Sequence, residues 1–154
     1  MKTLSLLKKL AVAAVIAAAA GAVIFLVYTL HLRTDYRETA LKVNDAALVH
    51  LDDARIRRGD VSFEASRETV DYYNKFLLDG NTLVYSRKDA PKTEKTIILE
   101  LGEDKLSFTG LENGTAIVVH WDSGTEHKVF RVRSQITFSH LEAYFENCKR
   151  KAGA

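Results

Sequence analysis

The strongest constraint on this chain is an unbroken apolar run near its amino terminus. Residues 10–30 read LAVAAVIAAAAGAVIFLVYTL and contain no charged side chain. About 20 helical residues cross the roughly 30 Å hydrocarbon core of a bilayer, so the run fits one crossing. Tyr28 near its end suits the membrane interface, where an aromatic ring with a polar tip is favoured. We therefore predict a transmembrane helix over residues 10–32.

Two other interpretations of this run are open. A cleaved signal peptide usually has an apolar region of about 7–15 residues followed by a small-residue cleavage site. Ala18, Ala20 and Ala22 offer such sites, but cleavage there would leave a strongly apolar new terminus. The buried helix of a soluble domain is rarely uncharged over this length. Retention as a membrane anchor is the favoured interpretation, with the lipid bilayer as the first partner.

Basic residues flank the run almost evenly. The α-amino group tips the balance toward a cytoplasmic amino terminus, because positive charge is retained on that side. Residues 1–9 are then a cytoplasmic tail, and the protein is a single-pass signal-anchor protein whose carboxyl-terminal part lies outside. The flanking cations are Lys2, Lys8 and Lys9 before the run and Arg33, Arg37 and Lys42 after it.

Small residues recur within the run at helical spacing. Ala13, Ala17 and Gly21 form one stripe, which would let a second membrane helix approach closely. The stripe predicts self-association or packing against a partner's helix. The alternative is that an alanine-rich anchor produces this spacing by chance.

The rest of the 154-residue chain is balanced in charge and large enough for one small domain. No acidic residue precedes Asp35, and all 20 acidic residues share the remainder with most of the 22 basic ones. Interspersed charges of both signs lack the basic face of a nucleic-acid-binding protein. The single cysteine, Cys148, cannot form a disulfide within the chain.

Two helices are expected after the anchor. No Gly or Pro occurs between Ala22 and Arg58, and apolar residues recur there at spacings of three and four. This pattern predicts an amphipathic juxtamembrane helix within residues 33–59, ended by Gly59, and leaves its continuity with the anchor open. Residues 63–79 favour a second helix, although the alternation of their first few residues also suits a strand.

The remaining segments change to the alternating pattern of strands. Short turns between successive strands predict antiparallel neighbours, hence a meander of about five strands. Ser139 and Glu142 form a capping-box pattern before a final helix whose apolar residues include Cys148. Residues 60–154 are thus expected to form an α+β domain of helices packed on an antiparallel meander. The predicted strands are residues 82–86, 96–101, 105–109, 115–121 and 127–133.

The chemistry-bearing residues are few. A two-residue turn at Ser123-Gly124 would place His120 directly opposite His127, with Asp122 on the same face as a third metal ligand. The simpler interpretation is a polar cross-strand pair, because a change of register alters the arrangement. Cys148 and His140 could suggest a thiol nucleophile, but Cys148 lies on the apolar stripe of its helix, typical of a core residue.

No nucleotide-binding, zinc-protease or serine-hydrolase motif occurs in the chain. An enzyme is therefore not expected, and no cofactor is indicated. We expect a membrane-anchored, non-catalytic protein-binding or scaffold subunit of a membrane or envelope complex. The alternative is a membrane-tethered sensor or small-ligand-binding module with a pocket between helices and sheet.

Overall fold

The computed structural model describes residues 2–111, 114–124 and 126–154, with side chains from residue 7 onward. Its first element is a single α-helix, α1 (Lys2–Val49), which joins the apolar run to the predicted juxtamembrane helix without a break. The absence of Gly and Pro after Ala22 accounts for this continuity, since nothing in the sequence interrupts the helical hydrogen bonds. The apolar run and the segment that follows it therefore form one continuous helix.

The predicted end of this helix at Gly59 is wrong. The helix stops at Val49, and residues 55–64 form a hairpin of strands β1 (Arg55–Arg58) and β2 (Val61–Glu64). Gly59 adopts a positive φ of 55° in the turn between them. Strand pairing prevails because it buries the apolar side chains of Ile56 and Phe63 side by side in the core. The basic residues Arg55, Arg57 and Arg58 therefore lie on a strand.

The second helix is shorter than predicted. Helix α2 (Arg67–Leu78) starts after β2, and the hydroxyl of Ser66 caps it by accepting a hydrogen bond from Thr69 N at 3.2 Å. The predicted start at residue 63 is wrong because that residue belongs to β2. The alternation of polar and apolar side chains in the first residues of this segment correctly indicated a strand.

The β1–β2 hairpin and the five strands after α2 form one seven-stranded antiparallel sheet, in the order β2-β1-β4-β5-β6-β7-β3. All five predicted strands are present, and β4 to β7 form the predicted meander. Strand β3 instead lies beside β7 at the far edge, and the β1–β2 hairpin extends the opposite edge. The remaining strands are β3 (Leu83–Ser86), β4 (Ile97–Leu101), β5 (Asp104–Gly110), β6 (Ile117–Ser123) and β7 (Glu126–Arg133).

The N-cap of the last helix, α3 (Phe138–Ala152), lies two residues before the predicted N-cap Ser139. Thr137 is its N-cap residue, and the Thr137 backbone N–H donates to Nδ1 of His140 at 3.1 Å. Glu142, the predicted partner in the capping box, instead accepts a hydrogen bond from Arg58 on β1 at 2.5 Å. This contact fastens α3 to the sheet.

All three helices cover the same face of the sheet, so the fold is α+β as predicted. The second half of α1 belongs to the core, and Leu32, directly after the apolar run, is fully buried. The core therefore begins at the end of the domain that adjoins the apolar run. Its buried helical residues are Leu32, Tyr36, Ala40, Val43 and Ala47 of α1, Val70, Tyr73, Phe76 and Leu77 of α2, and Phe138, Leu141, Phe145 and Cys148 of α3.

Candidate functional site

The sheet face opposite the helices is crossed by one segment, residues 87–96, which we call the strap. It connects β3 at one edge to β4 and must therefore pass over β7, β6 and β5. Arg131 on β7 fixes its start by donating to the Lys88 and Asp89 carbonyl oxygens at 2.6 and 2.9 Å. At its end, the Thr96 hydroxyl lies 3.0 Å from that of Thr109 on β5. The strap therefore covers the sheet face opposite the helices, which we call the outer face.

His120 and His127 lie beneath and beside this strap, but not directly opposite each other. The β6–β7 pairing closes on Ser123 and Glu126, so His120 faces Val129 and His127 faces Asp122. The turn is thus displaced by one residue from the predicted turn. This displacement shifts the cross-strand partner of each histidine by two positions, so both imidazole rings stay on the same face of the sheet. Their ring centroids are 6.0 Å apart, on a diagonal of the sheet.

Each histidine is hydrogen-bonded to its own carboxylate. Nε2 of His120 lies 2.6 Å from Oδ1 of Asp89 on the strap, and Nδ1 of His127 bonds to Asp122. Lys92 of the strap adds a third group by donating to Asp122 at 3.2 Å. Within the described residues, no three His, Cys, Asp or Glu side chains are grouped so that they could hold a metal ion. The arrangement is two separate pairs, and the strap is secured by the His120–Asp89 pair and by the contact of Lys92 with Asp122.

Ser107 stands opposite His120 on β5, so the order Ser107, His120, Asp89 resembles a nucleophile, a base and an orienting acid. Ser107 and His120 are only 0% and 2% exposed, however, and the strap lies over them. No hydrogen bond joins the serine hydroxyl to another described residue. A substrate cannot reach this hydroxyl while the strap is in place, so the geometry favours a structural role.

Cys148 and His140 do not meet. His140 caps the start of α3, whereas Cys148 lies two turns further on, buried with its sulfur 3.4 Å from the Thr69 hydroxyl. The expected role of Cys148 as a core residue is confirmed.

A second feature, which no sequence pattern indicated, is a groove at the end of the domain that adjoins the apolar run. It lies between α1, the end of α2 and the start of β3, and has a volume of about 510 Å³. Leu30, the last residue of the apolar run, forms part of its wall, as do Arg33 and Arg37 one and two turns further along α1. We call this feature the membrane-end groove.

Two residues with buried hydroxyl groups, Tyr36 and Thr82, line the membrane-end groove. Tyr36 and Thr82 are 6% and 5% exposed, and neither hydroxyl has a hydrogen-bond partner among the described residues. Burial, and after it the charge of Asp79, raises the pKa of Tyr36 far above its usual value, so the phenol is a neutral donor at physiological pH. No sequence signal identified these groups, because their juxtaposition depends on how α1 packs against β3.

The predicted stripe of Ala13, Ala17 and Gly21 lies on the exposed surface of α1. A Cβ atom added at Gly21 would meet nothing within 4 Å. The most apolar stretch of α1 buries none of its residues against the domain, whereas the core helix of a soluble domain would be mostly buried. The stripe is free to contact lipid or another helix.

No protein-family model, curated protein or solved structure matches this chain. The class of this protein is therefore defined by its fold and by the apolar helix that leads into the domain. It has an α+β domain continuous with one helix that is long and apolar enough to span a membrane.

Proposed function

We propose that this protein is a single-pass, membrane-anchored scaffold whose extracytoplasmic domain binds another membrane or envelope protein without catalysing a reaction. The observation that carries the proposal is the continuity of α1. One helix supplies both the apolar run and part of the domain core, so no flexible linker separates them. The orientation of the domain is thereby tied to the orientation of the anchor.

Such rigid coupling suits a subunit that must present its surface at a fixed height and angle. A tethered enzyme that acts on diffusing substrates gains nothing from it. The closed outer face also supports a non-catalytic role, because the buried His120 and Ser107 are shielded by the strap. The expected orientation, with residues 1–9 in the cytoplasm, is part of the proposal and follows from the flanking charges.

Two surfaces are suited to partners. Within the membrane, the small residues Ala13, Ala17 and Gly21 allow a second helix to approach closely. Beyond it, Leu41 and Leu48 of α1 are 49% and 64% exposed and point away from the core. A partner that packs along α1 would cover these leucines.

The coupling is tested by gentle detergent extraction followed by identification of proteins that remain attached in fixed proportion. We expect the native chain to retain a partner. A Gly-Ser-Gly-Ser insertion between Leu30 and His31 breaks the helix outside the core and should release that partner. The same four residues added after Ala154 are the control and should leave it bound. Migration of the native chain as a lone monomer would contradict the proposal.

The membrane stripe is tested by cysteine crosslinking in a Cys148→Ala background. Ala17→Cys places a thiol on the small-residue stripe, whereas Ile16→Cys places it about 100° away around the helix. If the chain self-associates through the stripe, Ala17→Cys forms disulfide dimers in membranes and Ile16→Cys does not. Equal dimer yields from the two positions would show that contact is random.

The alternative function, a membrane-tethered ligand-binding module, is favoured by one observation. The membrane-end groove combines a cavity with buried hydroxyl groups that lack partners within the described residues. A ligand that accepts hydrogen bonds would satisfy them.

A further inference from the structure

The position of the membrane-end groove relative to a bilayer follows from helix geometry. The apolar run spans about 30 Å at roughly 1.5 Å per residue, which fills the hydrocarbon core. Arg33 then lies about 4.5 Å beyond its end and Arg37 about 10 Å beyond it. The polar layer on each side of a bilayer is about 5–8 Å thick. Arg33 therefore lies within the lipid headgroup layer and Arg37 lies just beyond it, so the mouth of the groove adjoins the headgroups.

The groove offers unused hydrogen-bond donors at this level. The hydroxyls of Tyr36 and Thr82 are more than nine-tenths buried and have no partner among the described residues. Buried polar groups without partners are rare in native proteins and are commonly satisfied by a ligand or water. A molecule that carries acceptor oxygens would satisfy these hydroxyl groups.

The available charge at the mouth is positive. Arg33 and Arg37 are exposed, and within the described part of the chain neither forms an ion pair or a hydrogen bond through its side chain. The nearby carboxylate of Asp79 accepts from Asn81 N at 3.0 Å and from the Ser134 hydroxyl at 3.3 Å, and its single negative charge is outnumbered by the two guanidinium groups. Guanidinium groups match the geometry of phosphate oxygens particularly well.

We propose that the membrane-end groove binds the phosphate headgroup of an anionic phospholipid from the adjacent leaflet. Arg33 and Arg37 contact the phosphate, and the hydroxyls of Tyr36 and Thr82 donate to oxygens of the headgroup or the glycerol esters. The acyl chains leave along Leu30, where the groove wall is continuous with the membrane segment. This site goes beyond the scaffold function, because lipid binding requires no protein partner.

The test uses the full-length chain in a neutral detergent with added phosphatidylglycerol or phosphatidylcholine, and native mass spectrometry to count retained lipid. We expect the chain to retain phosphatidylglycerol preferentially. The double variant Arg33→Gln/Arg37→Gln should weaken that retention about tenfold, as expected for the loss of charge-assisted hydrogen bonds. Arg150→Gln, an exposed arginine on α3, is the control and should leave retention unchanged.

The hydroxyls are tested separately with Tyr36→Phe and, as a second variant, Thr82→Val. Each removes a hydroxyl but keeps the size of the side chain. We expect weaker retention of phosphatidylglycerol together with unchanged or higher thermal stability in lipid-free detergent, because an unpartnered buried hydroxyl is lost. Lower stability without lipid would show that the hydroxyl has a partner within the protein and would overturn the proposal.

Equal retention of the two lipids, or phosphatidylglycerol retention that survives the arginine and hydroxyl variants, would also overturn it. So would loss of a captured protein partner in these variants with lipid retention intact, since a protein segment would then occupy the groove. Failure of the scaffold proposal is a different result, in which no protein partner is retained while lipid binding and its dependence on the groove persist.

Discussion

Replacing Asp35 by asparagine should weaken the packing of α1 against the rest of the domain. The side chain of Asp35 is 14% exposed and lies one turn beyond the apolar run. Its carboxylate contacts Nη2 of Arg87, at the start of the strap, at 2.6 Å and Nζ of Lys128, on β7, at 3.0 Å. One acidic group thus holds together α1, the strap and the sheet.

The magnitude follows from burial and from the kind of contact, because Lys128 donates a hydrogen bond to Oδ1 of Asp35 whereas Arg87 forms an ion pair with Oδ2 that lacks hydrogen-bond geometry. A hydrogen bond between charged groups contributes about 1.5–3 kcal/mol when buried. Arg87 and Lys128 are 42% and 26% exposed, so solvent screening reduces each contribution to about 1 kcal/mol. We therefore expect Asp35→Asn to lower the free energy of unfolding by about 2 kcal/mol. For a domain of this size the melting temperature should fall by about 6–10 °C.

Urea unfolding in a neutral detergent measures this change, with the fluorescence of the single, buried Trp121 as the signal. Asp45→Asn is the matched control, because Asp45 is exposed on the same helix and forms no ion pair among the described residues. It should change stability by less than about 0.5 kcal/mol. If Asp35→Asn and Asp45→Asn have equal effects, or if Asp35→Asn costs as much in a Lys128→Met background, the ion pairs do not stabilise this junction.

Two further outcomes are expected. Gly110→Ala should destabilise the domain by about 1–3 kcal/mol, because the added Cβ would lie 2.6 Å from Cγ of Phe138. Gly80→Ala, with nothing within 4 Å, is its neutral control in the same urea titration. The hydrogen bond from His120 lowers the pKa of the Asp89 carboxyl, so its stabilising effect is present above the ordinary pKa of about 4 and is lost as the pH falls below it. The stability difference between the native chain and Asp89→Asn should therefore shrink toward about pH 3, and a constant difference would contradict this assignment.

The elements predicted correctly from sequence are those with a strong local period. The alternating segments of β4 to β7 fold as strands because their turns hold consecutive strands together. The prediction fails at residues 50–64, where helical spacing of apolar residues continues by coincidence. There the pairing of β1 with β4 buries Ile56 against Leu99, and this distant partner decides the conformation.

The candidate sites divide in the same way. The face shared by His120 and His127 followed from strand alternation, but their diagonal placement depended on where the turn closed. The strap over them was not predictable, because the position of β3 beside β7 is set by packing across the whole sheet.

An uncharged helical run of membrane-spanning length followed by an α+β domain could be predicted from the residues alone. Composition and local period are sufficient for that, since hydrophobicity and backbone pairing act over neighbouring residues. Packing of the whole domain is what places Leu32 in the core and brings Tyr36 and Thr82 to the lining of one groove. Residues 46 positions apart in the sequence meet there because burial of apolar surface brings α1 onto β3, and no local pattern records that contact.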